Sequence, residues 1–272
     1  MIKQFPLSFK TLLIFFLCLL LLGGLALSFR GGDSRLKDAA DNYQTGEKAK
    51  TVAQRKQAFN QALDLYVALE QDYQPQYGTG RLYYNIGNTY FQLGQYGWAI
   101  LYYQRAKALM PRADRVQHNL AVVQDKLSLP HSDEKGLIGR VFFFHTYFSL
   151  PERLQLFAVF CLFTLFFYSA YLWSKHVWYL KSAVVAGSLM GIMLLSLGYT
   201  RYLAPLEATL VQSTELRRDA GEQFAKVTQQ PLPTGMTLEV LSILPDGSWF
   251  KVLSPNGELG YVPQDAIRLI GP

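Results

Sequence analysis

Residues 82–111 read LYYNIGNTYFQLGQYGWAILYYQRAKALMP, and this stretch decides the fold. Apolar or aromatic side chains recur at Tyr83, Ile86, Tyr90 and Leu93, the spacing of one helix face. Gly87 stands on that face, where a second helix can press close, and Gly94 is placed to end the helix. Ala99, Tyr103 and Ala106 line one face of a following helix, which Pro111 stops. The stretch predicts a helical hairpin in which small residues allow close approach and aromatic rings fill the gaps.

Tyr83, Ile86-Gly87, Tyr90, Gly94, Ala99, Tyr103, Ala106 and Pro111 are also the positions at which the hairpin resembles the tetratricopeptide repeat. One such repeat cannot bury its own apolar face, so neighbours are required. Leu120-Ala121 lies 34 residues after Ile86-Gly87, which is the repeat period, so residues 115–127 read as the first helix of a following, capping repeat. Upstream, residues 57–73 carry Ala58, Ala62, Leu65, Tyr66 and Leu69 at helical spacing and read as the second helix of a preceding repeat. A looser helix precedes it over residues 35–43. The spacing there departs from the period, which predicts an insertion near residues 46–54. The all-α tetratricopeptide module is expected over residues 34–128, with a linker over 129–153.

The composition is not that of a simple soluble domain. Charged residues make up 17% of the 272, and uncharged apolar runs cover residues 12–27, 154–173 and 182–199. The second and third are long enough to cross a bilayer, and Trp178, Tyr179, Tyr199 and Tyr202 suit the interface at the ends of the third. Transmembrane helices are expected at 154–173 and 182–203. Residues 1–28 open with Lys3 and Lys10 ahead of an apolar core and Ala26-Leu27-Ser28, which fits both a cleaved signal peptide and a retained N-terminal anchor. With those lysines inside, and Lys175 and Lys181 in the short loop between the spans also inside, both soluble modules are expected outside the cytoplasm. Residues 141–149, VFFFHTYFS, are too short to span and read as an interfacial segment.

From about residue 206 the texture changes to short strands and turns. Residues 237–244, 248–253, 258–262 and 267–270 read as strands, and the turns Asp246-Gly247 and Asn256-Gly257 are hairpin signals because those residues tolerate positive φ. Gly235, Val240, Gly247, Trp249, Val252, Gly260, Tyr261 and Val262 carry a resemblance to the bacterial SH3 family, which implies a small all-β barrel over residues 206–272. Tyr261 stands where that family more often has Trp, and Asp219-Ala220-Gly221 lacks its usual Gly-Pro. Trp249 and Tyr261 read either as a peptide groove or as aromatics that close the barrel.

Catalytic and metal signatures do not emerge. His118, His131, His145 and His176 show no ligand spacing, and no phosphate loop, nucleophile elbow or metalloprotease helix is present. Glu70 and Asp72 read as surface charges on a helix. Gly187 and Gly191 form a small-xxx-small pair that is expected to pack the third apolar run against the second. The net charge of +6 is scattered, so no nucleic-acid partner is expected. Cys18 and Cys161 both lie in apolar runs, which excludes a disulfide framework. The reading is of a non-enzyme without cofactor or metal. Two spans without internal charge offer no transport pathway, and no segment is left over for a wall-modifying hydrolase.

The whole order, signal or anchor, repeats, two spans and SH3-like barrel, resembles the tetratricopeptide proteins of the Bat aerotolerance operon. The sharpest stretch runs from Tyr84-Asn85-Ile86-Gly87-Asn88 through Ala99-Ile100-Leu101-Tyr102-Tyr103 to His118-Asn119-Leu120-Ala121. The resemblance implies a multidomain envelope scaffold of the bacterial inner membrane, working beside von Willebrand A-type Bat proteins and a MoxR-type ATPase in stress tolerance. Its binding groove is expected to comprise Arg81, Tyr84, Asn88 and Phe91 from the complete repeat and Arg115, His118 and Asn119 from the next helix. Tyr84 and Val122 replace polar residues that a full two-carboxylate clamp needs, so the expected ligand is an extended peptide of acidic or terminal-carboxylate character. The alternative is a cell-wall-binding envelope protein whose SH3-like domain takes peptidoglycan.

Overall fold

The computed structural model describes residues 34–73, 79–130 and 143–271. The expectations for residues 1–28 and for much of the 129–153 linker lie outside the described residues. The chain divides into two compact units: one holds the apolar helices of residues 150–203, and the other holds the helical and strand segments that flank them in sequence.

In the flanking unit, α1 (Ser34–Lys48) and α2 (Val52–Tyr73) form one helical hairpin, α3 (Gly80–Gln92) and α4 (Tyr96–Leu109) a second, and α5 (Asp114–Lys126) packs on α4; the short α6 (Phe143–Tyr147) comes later in the chain. Thr79 caps α3, its Oγ1 accepting from the Leu82 N–H at 3.1 Å. At the other end Gly94 takes φ +76°, and the Gly94 and Gln95 N–H groups donate back to the Phe91 and Tyr90 carbonyls. That is the glycine stop expected from the sequence. α5 ends in the same way, except that the left-handed position is filled by Ser128 at φ 53°.

The close approach expected at Gly87 is present. A Cβ there would stand 2.7 Å from Cδ1 of the buried Tyr103. The first hairpin uses the same device, with Gly46 seated against the Phe59 ring. This corrects the expected insertion at 46–54: α1 runs on through Gly46, only residues 49–51 turn, and the extra length sits inside α2, which has 22 residues against 14 in α4. The stretch AQRKQAFNQALDL is rich in strong helix formers, so it extends the helix rather than looping out.

The last segment forms a five-stranded antiparallel sheet in the order β4-β3-β2-β1-β5, with β1 (Leu206–Leu210), β2 (Thr237–Ile243), β3 (Trp249–Leu253), β4 (Leu259–Pro263) and β5 (Ile267–Leu269). Gly247 and Gly257 take positive φ in the two hairpin turns, as expected. Ala208, Leu210, Leu238, Val240, Phe250, Val252 and Val262 alternate inward to form its core, with Leu216 and Ile267.

This sheet is docked onto α4. A Cβ at Gly97 would meet the Val211 carbonyl oxygen at 2.6 Å, and one at Gly235 would meet Ile100 Cδ1 at 2.5 Å. Gln104 accepts from the Thr209 hydroxyl and donates to Thr237 Oγ1 at 2.7 Å. Val211 and Ile270 join one helical core and Met236 the other. One face of the repeat helix α4 is therefore covered by a segment more than 100 residues away, which nothing local in the sequence announces.

The other unit is a pair of apolar helices, α7 (Leu150–Ser174) and α8 (Val177–Tyr202), both long and apolar enough to cross a membrane. Each begins a few residues earlier than the expected spans of 154–173 and 182–203. Lys175 turns the chain at φ 53°, and His176 Nδ1 accepts from the Trp178 N–H at the start of α8. Ala183, Ala186, Met193 and Ser196 are the buried stripe of α8, at alternating spacings of three and seven. The expected Gly187/Gly191 contact is corrected: Gly187 faces Thr164, but a Cβ at Gly191 would meet nothing within 4 Å. The stripe that buries Ala183 and Ala186 turns Gly191 outward. Arg153, which the sequence reading left outside the span, lies within α7 and is buried; its Nη1 donates to Ser196 Oγ at 2.8 Å and Thr200 Oγ1 at 2.9 Å.

Candidate functional site

The seven residues expected to form a binding face lie on α3 and α5. Four of them meet. Asn119 Nδ2 donates to the Tyr84 hydroxyl at 3.1 Å and to Asn88 Oδ1 at 3.0 Å. The Tyr103 hydroxyl, from α4 behind them, donates to the same Asn88 oxygen at 2.7 Å. The Arg115 guanidinium lies 5.0 Å from the centroid of the Tyr84 ring, a cation–π contact. Helical spacing explains the assembly: Tyr84 and Asn88 are one turn apart on α3, as Arg115 and Asn119 are on α5, so two matched turns face each other.

The arrangement is a rigid amide–phenol floor. With both donors on its oxygen, Asn88 presents Nδ2 as its remaining group, a donor that bonds nothing among the described residues. Burial raises the Tyr103 phenol above its ordinary range, with the neighbouring Asn119 amide opposing, so the hydroxyl stays protonated and donating. Arg81, Arg115 and His118 are exposed. Phe91 departs from the group: its ring packs 5.8 Å from Tyr96, in the cluster of α4 and α5 core residues.

Sequence reasoning missed the continuation of this floor toward the first hairpin. Tyr43 on α1 and Tyr66 on α2 stand beside the Gln92 and Asn85 amides of α3; burial raises both phenols, with those amides opposing, and Tyr66 reaches about 12. The signal was the pairing of α3 amides at Asn85, Asn88 and Gln92 with tyrosines elsewhere, which shows only when α1, α2 and α3 are set side by side.

It also misread Glu70. Asp72 is exposed and pairs with Arg35, as a helix-surface charge does, but Glu70 is only 5% exposed. Its Oε2 accepts from the Tyr102 hydroxyl at 2.6 Å and its Oε1 from Arg105 Nη1 at 3.1 Å. Arg105 Nη2 then donates to the Leu269 carbonyl on β5 at 3.0 Å, so this buried pair fastens the sheet to the helices.

On the sheet, Trp249 and Tyr261 both point away from the core. The register pairs Trp249 with Pro263 and Lys251 with Tyr261, which makes the two aromatics diagonal neighbours on one outer face. Tyr261 also exchanges both backbone hydrogen bonds with Arg217, so its main chain helps to fold a long loop back on the sheet.

No curated protein and no solved structure matches the chain. Residues 80–112 match the family model described as "Tetratricopeptide repeat", which makes the α3–α4 hairpin one such repeat.

Proposed function

We propose that this protein is a membrane-anchored, non-enzymatic adaptor that captures an extended segment of a protein partner on the face shared by α3 and α5. Tetratricopeptide repeats are protein-interaction scaffolds, and the observation that carries the reading here is the floor of Tyr84, Asn88 and Asn119 beneath exposed arginines. An extended peptide brings unpaired backbone carbonyls. Asn88 Nδ2 offers them a fixed donor, while Arg81 and Arg115 give charge-assisted bonds to acidic side chains or a terminal carboxylate.

The rest of the proposal follows the chain order. The apolar helix pair spans the inner membrane, both soluble modules lie outside the cytoplasm, and the sheet is a barrel of the bacterial SH3 type. The partner belongs to a Bat-type stress-tolerance complex. A cysteine replacing the exposed Asp265 should react with an impermeant maleimide in intact spheroplasts; reaction only after lysis would reverse the orientation. A second reading, peptidoglycan binding by the sheet, rests on the outward Trp249 and Tyr261.

The decisive variants avoid the floor itself, because Asn88→Ala would strip the Tyr103 and Asn119 donors of their acceptor and disturb the fold. Arg81→Gln with Arg115→Gln removes exposed charge and one cation–π contact on the Tyr84 ring, and leaves the hydrogen bonds of the floor in place. Affinity capture from membranes should recover the partner at least about ten-fold less well with this pair of substitutions, the loss of two charge-assisted bonds. Recovery of the same proteins at unchanged yield would reject the α3–α5 face.

A further inference from the structure

We propose that the apolar helix pair carries a binding site for one anionic phospholipid, on the half of the pair nearest its turn. The inference rests on the membrane-spanning reading. Phe160, Phe163 and Phe167 of α7 and Val185 and Leu189 of α8 line an outward groove of about 450 Å³, headed by Trp178 and Lys181. That volume is in the range of small-molecule sites, roughly 300–1,000 Å³.

Its length selects the occupant. From Trp178 to Leu189 the helix advances about 16 Å at 1.5 Å per residue, roughly half of a 30 Å hydrocarbon core. One acyl chain of one leaflet has that extent. The aromatic rings of Phe163 and Phe167, stacked at 6.1 Å, give the groove a wall that a bent chain can follow. At the turn end the chemistry changes. Lys181 lies about one turn inside α8, where a lysine extends its ammonium toward the headgroups, and Trp178 sits at the level favoured by interfacial indoles. An apolar slot of single-leaflet length that ends in a cation fits a phosphodiester carrying net negative charge. Lys175, at the turn itself, is directed over the Tyr171 ring at 5.8 Å and does not line the groove.

The test uses the full chain, extracted from membranes and reconstituted in vesicles of equimolar phosphatidylglycerol and phosphatidylcholine with identical acyl chains. Native mass spectrometry then reads the lipids retained. A chain that leaves membranes without detergent overturns the spanning reading and this site together. For a chain that needs detergent, wild type should retain phosphatidylglycerol over phosphatidylcholine by about five-fold, the effect of one lysine at the headgroup level. Lys181→Gln should bring the ratio close to one, and Lys175→Gln should leave it unchanged. Val185→Trp, on an exposed groove wall, should lower retention of both lipids. Equal loss with Lys175→Gln and Lys181→Gln would mean general surface attraction and overturn the site, as would full retention by Val185→Trp.

Discussion

Replacing Gly87 by alanine adds one methyl group, and the structure fixes what it meets. The new Cβ would lie 2.7 Å from Cδ1 and 2.8 Å from Cε1 of Tyr103, where carbon atoms in contact prefer about 3.5–4.0 Å. The ring must retreat by roughly 1 Å, but Tyr103 is buried and its hydroxyl is held by Asn88 Oδ1 at 2.7 Å. Overpacking of this kind costs about 1–3 kcal/mol, and weakening the buried hydrogen bond adds up to about 1 kcal/mol. Alanine returns about 1 kcal/mol of helix propensity. The net expectation is a loss of about 2 kcal/mol, measured by guanidinium unfolding of the full chain in mild detergent, with near-ultraviolet dichroism reporting the tyrosines. Tyr103→Val removes the δ and ε carbons that collide. In that background Gly87→Ala should be neutral or stabilising, because only the propensity gain remains. The same loss in both backgrounds would show that the contact with Tyr103 is not what excludes a side chain at position 87.

Other perturbations have outcomes of defined sign. Ser128→Gly should raise stability by about 1 kcal/mol in the same unfolding assay, since it removes a side chain from a left-handed position; no gain would mean that the seryl side chain compensates locally. Arg105→Met should cost about 3 kcal/mol by removing the guanidinium from the buried Glu70 carboxylate and its bond to the Leu269 carbonyl, and adding Glu70→Gln should recover part of the loss. Stability should hold up to pH 10 and fall from pH 10 to 12. The Tyr66 phenol is raised from 10 to about 12 and those of Tyr102 and Tyr103 are raised too, so the unfolded chain loses these protons first. Tyr66 alone accounts for about 2–3 kcal/mol by pH 12. Titration of every tyrosine near pH 10 without unfolding would contradict their burial.

Local signals were legible in the sequence because local physics decides them. The Gly94 stop and the two glycine turns of the sheet depend on residues within a few positions of one another, and the Gly87–Tyr103 contact closes inside a single hairpin. Glu70 was not legible. Its helical spacing is that of a surface charge, and its burial comes from Tyr102 and Arg105, 32 and 35 residues away. The docking of the sheet on α4 was hidden for the same reason, although two residues carried a trace of it. Gly97 sits in the first turn of a helix with no positive φ to explain it, and Gln104 interrupts an apolar face; both answer to Val211 and Thr209. In the apolar pair, the Gly187/Gly191 spacing promised a contact that only Gly187 approaches, and the buried stripe runs through Ala183, Ala186, Met193 and Ser196 instead. Of the binding face, the repeat period brought out Arg115, His118 and Asn119 as residues of a helix beside α3, but not which side chains meet: Asn119 reaches Tyr84 and Asn88 across 35 and 31 residues, off the 34-residue spacing. The part built by Tyr43 and Tyr66 did not emerge, because the first hairpin departs from that period.

The adaptor reading is tested most directly by a photo-crosslinking residue in place of His118, exposed on α5 beside the Tyr84–Asn88–Asn119 floor, in the full chain in native membranes. Discrete protein adducts should form there, should be absent with the crosslinker at position 265 in the turn between β4 and β5, and should fade when Arg81→Gln and Arg115→Gln are added. Adducts from position 265 alone, or adducts at 118 that persist undiminished in the charge-altered chain, would contradict the account.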